Sequence, residues 1–212
     1  MVACAACTSA PRPAIQAGPP PDPRTQLSAL EIRIYDLVQD ERHRIDPNAK
    51  GLMLDSELIG AARKHSLDMA ERNYLGHASP SGETTATIIM DEDAQFQGLL
   101  GENIALVHFS PQNGIDVDGM AHQFVALWLK SPKHRDNLSV PVYDRTGVGA
   151  AAKGDAVYVT QLFASDMGLP PPPPGAADAR SNPSVSGAQA GISQPASAPA
   201  SAVPVPAPAP GR

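Results

Sequence analysis

Three short segments of the chain contain side chains that suit a small cation, and each segment lies beside a turn or an apolar run. The first is Asn-Tyr-Leu-Gly-His-Ala-Ser-Pro-Ser-Gly, in which His77 precedes a turn. The second is Gly-Glu-Asn-Ile-Ala, in which Glu102 enters an apolar run. The third is Trp-Leu-Lys-Ser-Pro-Lys-His-Arg-Asp-Asn-Leu, in which His134 follows a Ser-Pro pair that can begin a helical turn. Two imidazoles and a carboxylate can hold a zinc-like ion and leave a position open for water.

The spacing of these residues leaves their role open. The two histidines could instead be structural groups that tie loops to a sheet. Glu102 could be a buried carboxylate that accepts backbone N–H bonds and a bond from an imidazole, which costs less than burying it unpaired. A hydrolase is another interpretation, in which a metal-bound water attacks a carbonyl and His77, Glu102 and His134 are the catalytic groups. A serine mechanism with Ser79 beside His77 lacks an identifiable third group to orient the histidine.

The elements that position these residues begin with two helices, predicted from apolar residues at three- and four-residue steps. The first spans about residues 25–44 and ends at a Pro-Asn break. The second follows Asp55, a suitable N-cap residue, and runs to about Asn73. His65 lies on the apolar face of this second helix, and we expect it to be a buried structural histidine.

The rest of the central region contains two further helices and the predicted strands. A short helix is expected at residues 84–95, a strand at 101–107 and a helix at 116–130. Residues 148–152 and 157–163 alternate between inward and outward positions around a Lys-Gly-Asp turn, which predicts a hairpin. The buried face of the helix at 116–130 is expected to comprise Met120, Phe124, Leu127 and Trp128. Helices followed by a terminal hairpin indicate an α+β domain with a sheet covered by helices, not a doubly wound nucleotide-binding fold.

Proline content separates this domain from two arms. Of the 23 prolines, 18 lie outside residues 25–168. Residues 169–212 are rich in Pro, Ala, Ser and Gly and contain almost no large apolar side chain, so they cannot bury enough surface to offset the ordering of their backbone. We therefore predict a disordered Pro/Ala-rich tail at 169–212, a disordered N-terminal arm at 1–24 and one domain between them.

Charge and cysteine content limit the partners and the compartment. Residues 25–168 contain 12 basic and 20 acidic residues, a formal net charge of −8, and show no basic stripe, so nucleic acid is not expected as a partner. No apolar run is long enough for a transmembrane helix. The two cysteines, Cys4 and Cys7, lie in the N-terminal arm. Met-Val-Ala-Cys resembles the end of a bacterial lipoprotein signal, with an ordinary N-terminal arm as the alternative.

Taken together and in this order, the three segments resemble those of the CAP superfamily (cysteine-rich secretory proteins, antigen 5 and pathogenesis-related proteins). The resemblance is strongest to the bacterial, cysteine-free SCP-like branch. It covers about residues 28–165 and includes Ala-Ala-Arg-Lys-His-Ser-Leu-Asp-Met-Ala at 61–70, Gly-Val-Gly at 147–149 and Tyr-Val-Thr-Gln-Leu-Phe-Ala at 158–164. A lone Gly-Glu-Asn is a weak motif, whereas the ordered set is specific.

The resemblance implies a three-layer α-β-α sandwich with a mainly antiparallel sheet and a cleft that holds two histidines and two acids. His77, His134 and Glu102 match three of these four positions. Longer members have the second acid in a loop after the helix tryptophan, but here Trp128 is followed by Leu-Lys-Ser-Pro-Lys-His. Water, or a carboxylate such as Asp136, is left to complete the site.

These features favour a secreted or envelope-attached binding module, attached through Cys4 if the lipoprotein interpretation holds. Its cleft is expected to hold Zn²⁺ or another divalent cation through His77, His134 and Glu102, and to take a small apolar or extended ligand. The Pro-rich tail is expected to contact an envelope component. The alternative is a metal-dependent peptidase or esterase that uses the same cleft.

Overall fold

The structure is a computed structural model, and it describes residues 22–166. A 3-10 turn at Pro23–Gln26 leads into the first helix. The helices are α1 (Leu27–Ile45), α2 (Ser56–Arg72), α3 (Thr85–Glu92), α4 (Val117–Lys130) and α5 (Pro132–Ser139), and the strands are β1 (Met53–Leu54), β2 (Gly98–His108), β3 (Arg145–Lys153) and β4 (Ala156–Asp166).

The four strands form one sheet in the order β1-β3-β4-β2. Strands β3 and β4 form the predicted hairpin, and β2 runs antiparallel along the other side of β4, with Glu102 opposite Leu162. Only the two-residue β1 is parallel to its neighbour. The sheet is therefore mainly antiparallel, as predicted, and β2 is an edge strand.

Helices cover both faces of this sheet. One face packs against α1, α4 and α5, in a core that includes Leu30, Phe124, Trp128 and Phe163. The other face packs against α2 and α3, in a smaller core around Leu162. Neighbouring residues of a strand point to opposite faces, so Phe163 and Leu162 belong to different cores. This arrangement confirms the three-layer α-β-α sandwich.

Helix α2 lies directly on β3 because two glycines leave room for its backbone. A Cβ atom placed on Gly149 would lie 2.1 Å from the backbone nitrogen of Arg63, and one placed on Gly147 would lie 2.3 Å from that of Ile59. The helix ends are fixed by local hydrogen bonds. The Asp55 side chain accepts the N–H groups of Glu57 and Leu58, and the C-cap residue Asn73 adopts a left-handed conformation at φ 53°.

A buried arginine joins α1 to the segments around α5. Arg42 is 2 % exposed, and burial lowers its pKa. Its Nη1 donates to the carbonyl oxygens of Leu138 (2.7 Å) and Val140 (3.2 Å). Its Nη2 contacts the carbonyl oxygens of Lys50 and Tyr143, each at 3.4 Å. One guanidinium therefore links α1 with chain segments just before β1 and after α5.

The structure corrects four details of the predicted elements. Leu127 is 43 % exposed and does not belong to the buried face of α4. The buried residues of this helix are centred on Ala121 and Trp128, and Leu127 lies outside that face. Strand β1 was not predicted. Helix α3 is shorter than residues 84–95, and β2 is longer than residues 101–107.

The predicted arms lie almost wholly outside the described residues, as do Cys4 and the tail at 169–212. Only residues 22–24 of the N-terminal arm are described, and they belong to the 3-10 turn and its cap. Within residues 22–166, no helix is both long and apolar enough to span a bilayer.

Candidate ligand-binding site

The loop that carries His77 is held to the end of α2 by two side chains. The Tyr74 hydroxyl donates to Asp68 Oδ2 at 2.5 Å, and burial together with this hydrogen bond raises the pKa of Tyr74. His65 is 2 % exposed, and its Nε2 lies 3.0 Å from the carbonyl oxygen of Gly76. His65 is therefore a buried structural histidine, as predicted, and it fixes the residue that precedes His77.

Glu102 meets this loop from the first half of β2. Its Oε1 lies 2.5 Å from His77 Nδ1, and its Oε2 accepts a hydrogen bond of 2.6 Å from the Thr85 hydroxyl at the start of α3. The side chain of Glu102 is 12 % exposed and that of His77 is 47 % exposed. Both carboxylate oxygens thus have partners, which offsets the cost of removing this charge from water.

The contact with Glu102 determines which nitrogen of His77 is free. An ionised carboxylate only accepts hydrogen bonds, so the Nδ1 of His77 carries the proton in this contact. In the neutral ring, Nε2 then keeps its lone pair. Histidines that bind metals are commonly oriented in this way, by a carboxylate on the nitrogen that does not ligate.

His134 approaches the same place from α5, on the other side of the edge strand. Its ring centroid lies 6.1 Å from that of His77, with the rings at 64°. The backbone carbonyl of His134 accepts a hydrogen bond of 3.1 Å from Asn103 Nδ2. Burial lowers the pKa of His134, a charged His77 lowers it further, and Glu102 acts in the opposite direction. The structure thus brings His77, Glu102 and His134 together, and it favours the neutral form of His134.

An asparagine network fixes α5 against β2. Asn137 Nδ2 donates to the backbone carbonyl of Glu102 at 3.0 Å and to Asn103 Oδ1 at 2.8 Å. Asn103 is fully buried. The backbone of Glu102 and the turn of α5 that carries His134 are therefore held in one hydrogen-bonded unit.

The imidazoles of His77 and His134 could together hold a cation weakly. Neutral imidazoles are the form that binds metals. Two imidazoles that share one zinc ion have ring centroids roughly 5–6 Å apart, given N–metal bonds of about 2.0–2.1 Å, which is close to the observed spacing. Within residues 22–166, however, no three His, Cys, Asp or Glu side chains are grouped so as to hold a metal ion. Asp136 is exposed and uses its backbone carbonyl to cap the end of α5.

Two residues that bind Glu102 were not predicted from the sequence. Thr85 and Asn137 both bind Glu102, yet each is polar in a segment whose pattern indicates only a helix start or a turn.

Ser79 is 6 % exposed, and its hydroxyl accepts the N–H of Glu83 at 3.0 Å and contacts Ser81. Ser79 therefore stabilises the turn after His77, and the imidazole of His77 is engaged with Glu102 rather than with this serine.

Comparison with known proteins identifies the family. Residues 37–163 match the family model described as CAP, the cysteine-rich secretory protein family. This match covers more than half of the chain, so the chain belongs to the CAP family and its resemblance to that family is confirmed. The matched range contains His77, Glu102 and His134.

Two bacterial proteins are among the relatives of this chain. The uncharacterized protein YkwD of Bacillus subtilis is 27% identical over 139 residues, which are 66% of this chain and 49% of that protein. An extracellular protein containing a SCP domain from Bacillus anthracis is 30% identical with a TM-score of 0.55, over 70% of this chain and 45% of that one. This chain therefore spans about half the length of either relative.

A further solved structure shares the fold. An outer surface protein from Borrelia burgdorferi is 21% identical and has a TM-score of 0.54, over 66% of this chain and 94% of that one. At this level of identity, the similarity concerns the fold alone.

Proposed function

We propose that this chain is an extracytoplasmic CAP-domain binding module whose cleft takes a divalent cation, such as Zn²⁺, between His77 and His134. The observation that carries the proposal is the 2.5 Å contact of His77 Nδ1 with Glu102 beside the second imidazole, whose centroid is 6.1 Å away. This contact leaves His77 Nε2 as a lone-pair donor. The lowered pKa of His134 supports a second neutral imidazole at the same place.

In this proposal Glu102 orients His77 rather than binding the cation directly. Its Oε1 and Oε2 already accept hydrogen bonds from His77 and Thr85. Direct ligation by Glu102, which the sequence predicted, requires the carboxylate to leave one of these donors. With two protein ligands, the remaining coordination positions fall to water or to a bound ligand, so affinity is expected to be modest.

Zinc calorimetry on the full chain tests this site. We expect wild-type protein to bind zinc and His77→Ala/His134→Ala to lose that binding without loss of helical circular dichroism. Glu102→Gln is expected to weaken zinc binding by about 10- to 100-fold, the usual effect of removing a carboxylate that orients a ligating histidine.

The chain offers a matched control for nonspecific binding. His108 and His122 are exposed and each lies within 3.5 Å of an aspartate carboxylate, at Asp155 and Asp118 respectively. The variant His108→Ala/His122→Ala should bind zinc as the wild type does. Zinc binding that survives in His77→Ala/His134→Ala, or that is lost in the control, contradicts the proposed site.

We also infer that the protein works outside the cytoplasm. The Bacillus anthracis relative is described as an extracellular protein. The domain between residues 25 and 168 has no cysteine, so its stability does not depend on the redox state of its compartment. Fractionation of the native cells, with protease added to intact cells, tests the location. Recovery of intact protein in the cytoplasmic fraction refutes it.

Attachment through Cys4 and binding of an envelope component by residues 169–212 are proposals from the sequence. Mass spectrometry of the native protein tests the first, because a lipid-modified Cys4 carries the added mass of its acyl chains. Crosslinking of the full chain and of a variant truncated after residue 168, both in the native envelope, tests the second. Identical crosslinked partners in the two proteins exclude a role for the tail.

A hydrolase using the same cleft is a weaker alternative. Hydrolysis by a metal-bound water needs a base, and Glu102 is the carboxylate nearest the histidines. That carboxylate is engaged by His77 and Thr85, so it is not free to take a proton. Turnover of a peptide or ester that chelator suppresses, that zinc restores and that Glu102→Gln abolishes favours the hydrolase over the binding module.

A further inference from the structure

Strand β3 has a short free edge beyond its pairing with β1. At the last paired position, the carbonyl oxygen of Thr146 accepts the N–H of Asp55 at 3.0 Å. Four residues further along, the N–H of Ala150 donates to Glu31 Oε1 at 2.9 Å. Both groups point away from β4, and every second residue of a strand presents its N–H and carbonyl to the same side. Val148 therefore presents its N–H and carbonyl to this edge, where no group of residues 22–166 binds them.

A pocket of about 230 Å³ lies at this free edge, between α1 and the start of α2. Its lining includes Val148 and the apolar side chains of Ile32, Leu54 and Ile59. Ile32 and Leu54 are 57 % and 49 % exposed, so apolar surface is open to solvent at this place. Pockets for small molecules usually measure about 300–1,000 Å³. This smaller pocket suits one or two side chains of an extended segment instead.

The length of the free edge limits what can bind there. From Thr146 to Ala150 the strand rises by about 13 Å, at about 3.3 Å per residue, which leaves room for about three residues of an added strand. Glu31 closes the far end, because its carboxylate binds both Ala150 and Arg63. Such a segment gains few backbone hydrogen bonds and would bind weakly as a free peptide. A segment of the same chain has the advantage of a local concentration on the order of millimolar.

The chain continues beyond β4 from the end of the sheet where β1 lies. Arg145 of β3 is paired with Met53 of β1 on one side and with Ala164 of β4 on the other. Strands β1 and β4 are therefore two strand spacings apart, about 10 Å. Thirty-six residues, 167–202, separate Asp166 at the end of β4 from a Val-Pro repeat at 203–210. This is far more chain than the distance requires.

The Val-Pro repeat has the composition of an edge strand. Residues 203–210 are Val-Pro-Val-Pro-Ala-Pro-Ala-Pro, in strict alternation. When such a segment is extended, its valines and alanines present N–H and carbonyl groups to one side, and its prolines, which lack an N–H, face the other. Proline is tolerated in an edge strand when that other side faces solvent. Each valine and alanine also precedes a proline, which restricts it to extended conformations and lowers the entropy lost on binding.

We propose that residues 203–210 dock in this pocket as a short added edge strand on β3 of the same chain. Val203 and Val205 hydrogen-bond to the backbone of Val148 and pack against the exposed side chain of Ile32. This docking covers an apolar surface and the last free part of the β3 edge, both of which could otherwise pair with other chains. It is independent of the proposed cation site, because Glu102 lies on β2 at the opposite edge of the sheet.

The test is amide hydrogen exchange of the full chain, measured by NMR at Val148. The variant Val203→Pro/Val205→Pro keeps the segment apolar and extended but removes both N–H donors. We expect it to speed exchange at Val148 by about three- to tenfold or more, the effect of losing at least one hydrogen bond. The matched control is Ala196→Pro/Ala198→Pro, which makes the same change outside the repeat and should leave exchange at Val148 as in the wild type.

A second pair of variants tests the pocket from the side of the domain. Ile32→Asp places a charge in its apolar wall and should shift the amide signals of Val203 and Val205 away from their wild-type positions. Leu67→Asp is the control, because Leu67 is also exposed, at 50 %, but lies on α2 and does not line the pocket. Valine signals that are the same in wild type and Ile32→Asp overturn the docking, as does equal exchange at Val148 in the two proline variants.

Dilution separates docking within one chain from exchange of the segment between two copies. Within one chain, the exchange rate at Val148 should not depend on protein concentration. Protection that falls on dilution, together with dimers in analytical ultracentrifugation, places the segment in the pocket of a second copy and overturns the proposal.

Discussion

Replacing Gly149 by alanine tests the close approach of α2 to the sheet. The added Cβ atom would lie 2.1 Å from the Arg63 nitrogen and 2.3 Å from the Ala62 carbonyl carbon, both of them backbone atoms. Non-bonded heavy atoms prefer separations of about 3.5 Å or more, so the helix has to retreat by more than about 1 Å. Overpacking of this kind costs about 1–3 kcal/mol and sometimes more, and we expect the upper end because no side chain can turn aside.

The measurement is urea unfolding of Gly149→Ala beside Gly60→Ala. A loss of about 3 kcal/mol corresponds to a melting temperature lower by roughly 10 °C for a domain of this size. Gly60 lies on the exposed side of α2 with nothing within 4 Å of its added Cβ atom. Alanine there should stabilise the protein by about 0.5–1 kcal/mol, the helix-propensity difference. An unchanged unfolding midpoint in Gly149→Ala would refute the close packing that we describe.

Two further predictions concern the site. Tyr74→Phe removes the hydroxyl that donates to Asp68 at 2.5 Å. It should lower the free energy of unfolding, measured in urea, by about 1–3 kcal/mol, because a partly buried carboxylate loses this donor. An unchanged unfolding midpoint shows that the contact contributes nothing to stability. The pKa of His134 is lowered in the folded protein. As the pH falls through about 6.5, the unfolded chain therefore binds more protons at this histidine than the folded protein does. The free energy of unfolding should decline in that range. An NMR titration of chelator-treated protein should give His134 a midpoint below 6.5, and a midpoint above that value contradicts the effect of burial.

The fold could be predicted where the sequence pattern matches the local packing. The apolar periodicity of α1 and α2 and the alternation of β3 and β4 reflect elements with one buried face, and these elements formed as predicted. Strand β1 has two residues, both exposed, so it leaves no alternation to recognise. Leu127 is apolar at a helical spacing, and only the tertiary position of α4 places it outside the core.

The sequence suggested the residue types of the candidate site but not the contacts between them. His77, Glu102 and His134 stood out because each is a chemically capable residue beside a turn or at the start of a strand. Thr85 is 17 positions from Glu102 along the chain, and nothing in the sequence pairs them. The same holds for Asn137, which is 35 positions from Glu102 along the chain and donates a hydrogen bond to its backbone carbonyl.

The hydrogen bonds of Arg42 have a consequence for how the domain opens. This side chain binds carbonyls of Leu138 and Val140 at the end of α5, and that of Tyr143 just before β3. If α5 unfolded alone, the Arg42 guanidinium would lose the carbonyl acceptors of Leu138 and Val140 while α1 still held it in the buried position. The short helix that carries His134 should therefore open together with α1, and amide hydrogen exchange should report similar protection for both helices. Eight residues of helix would thus share the slow exchange of the core and keep His134 in place between rare openings of the whole domain.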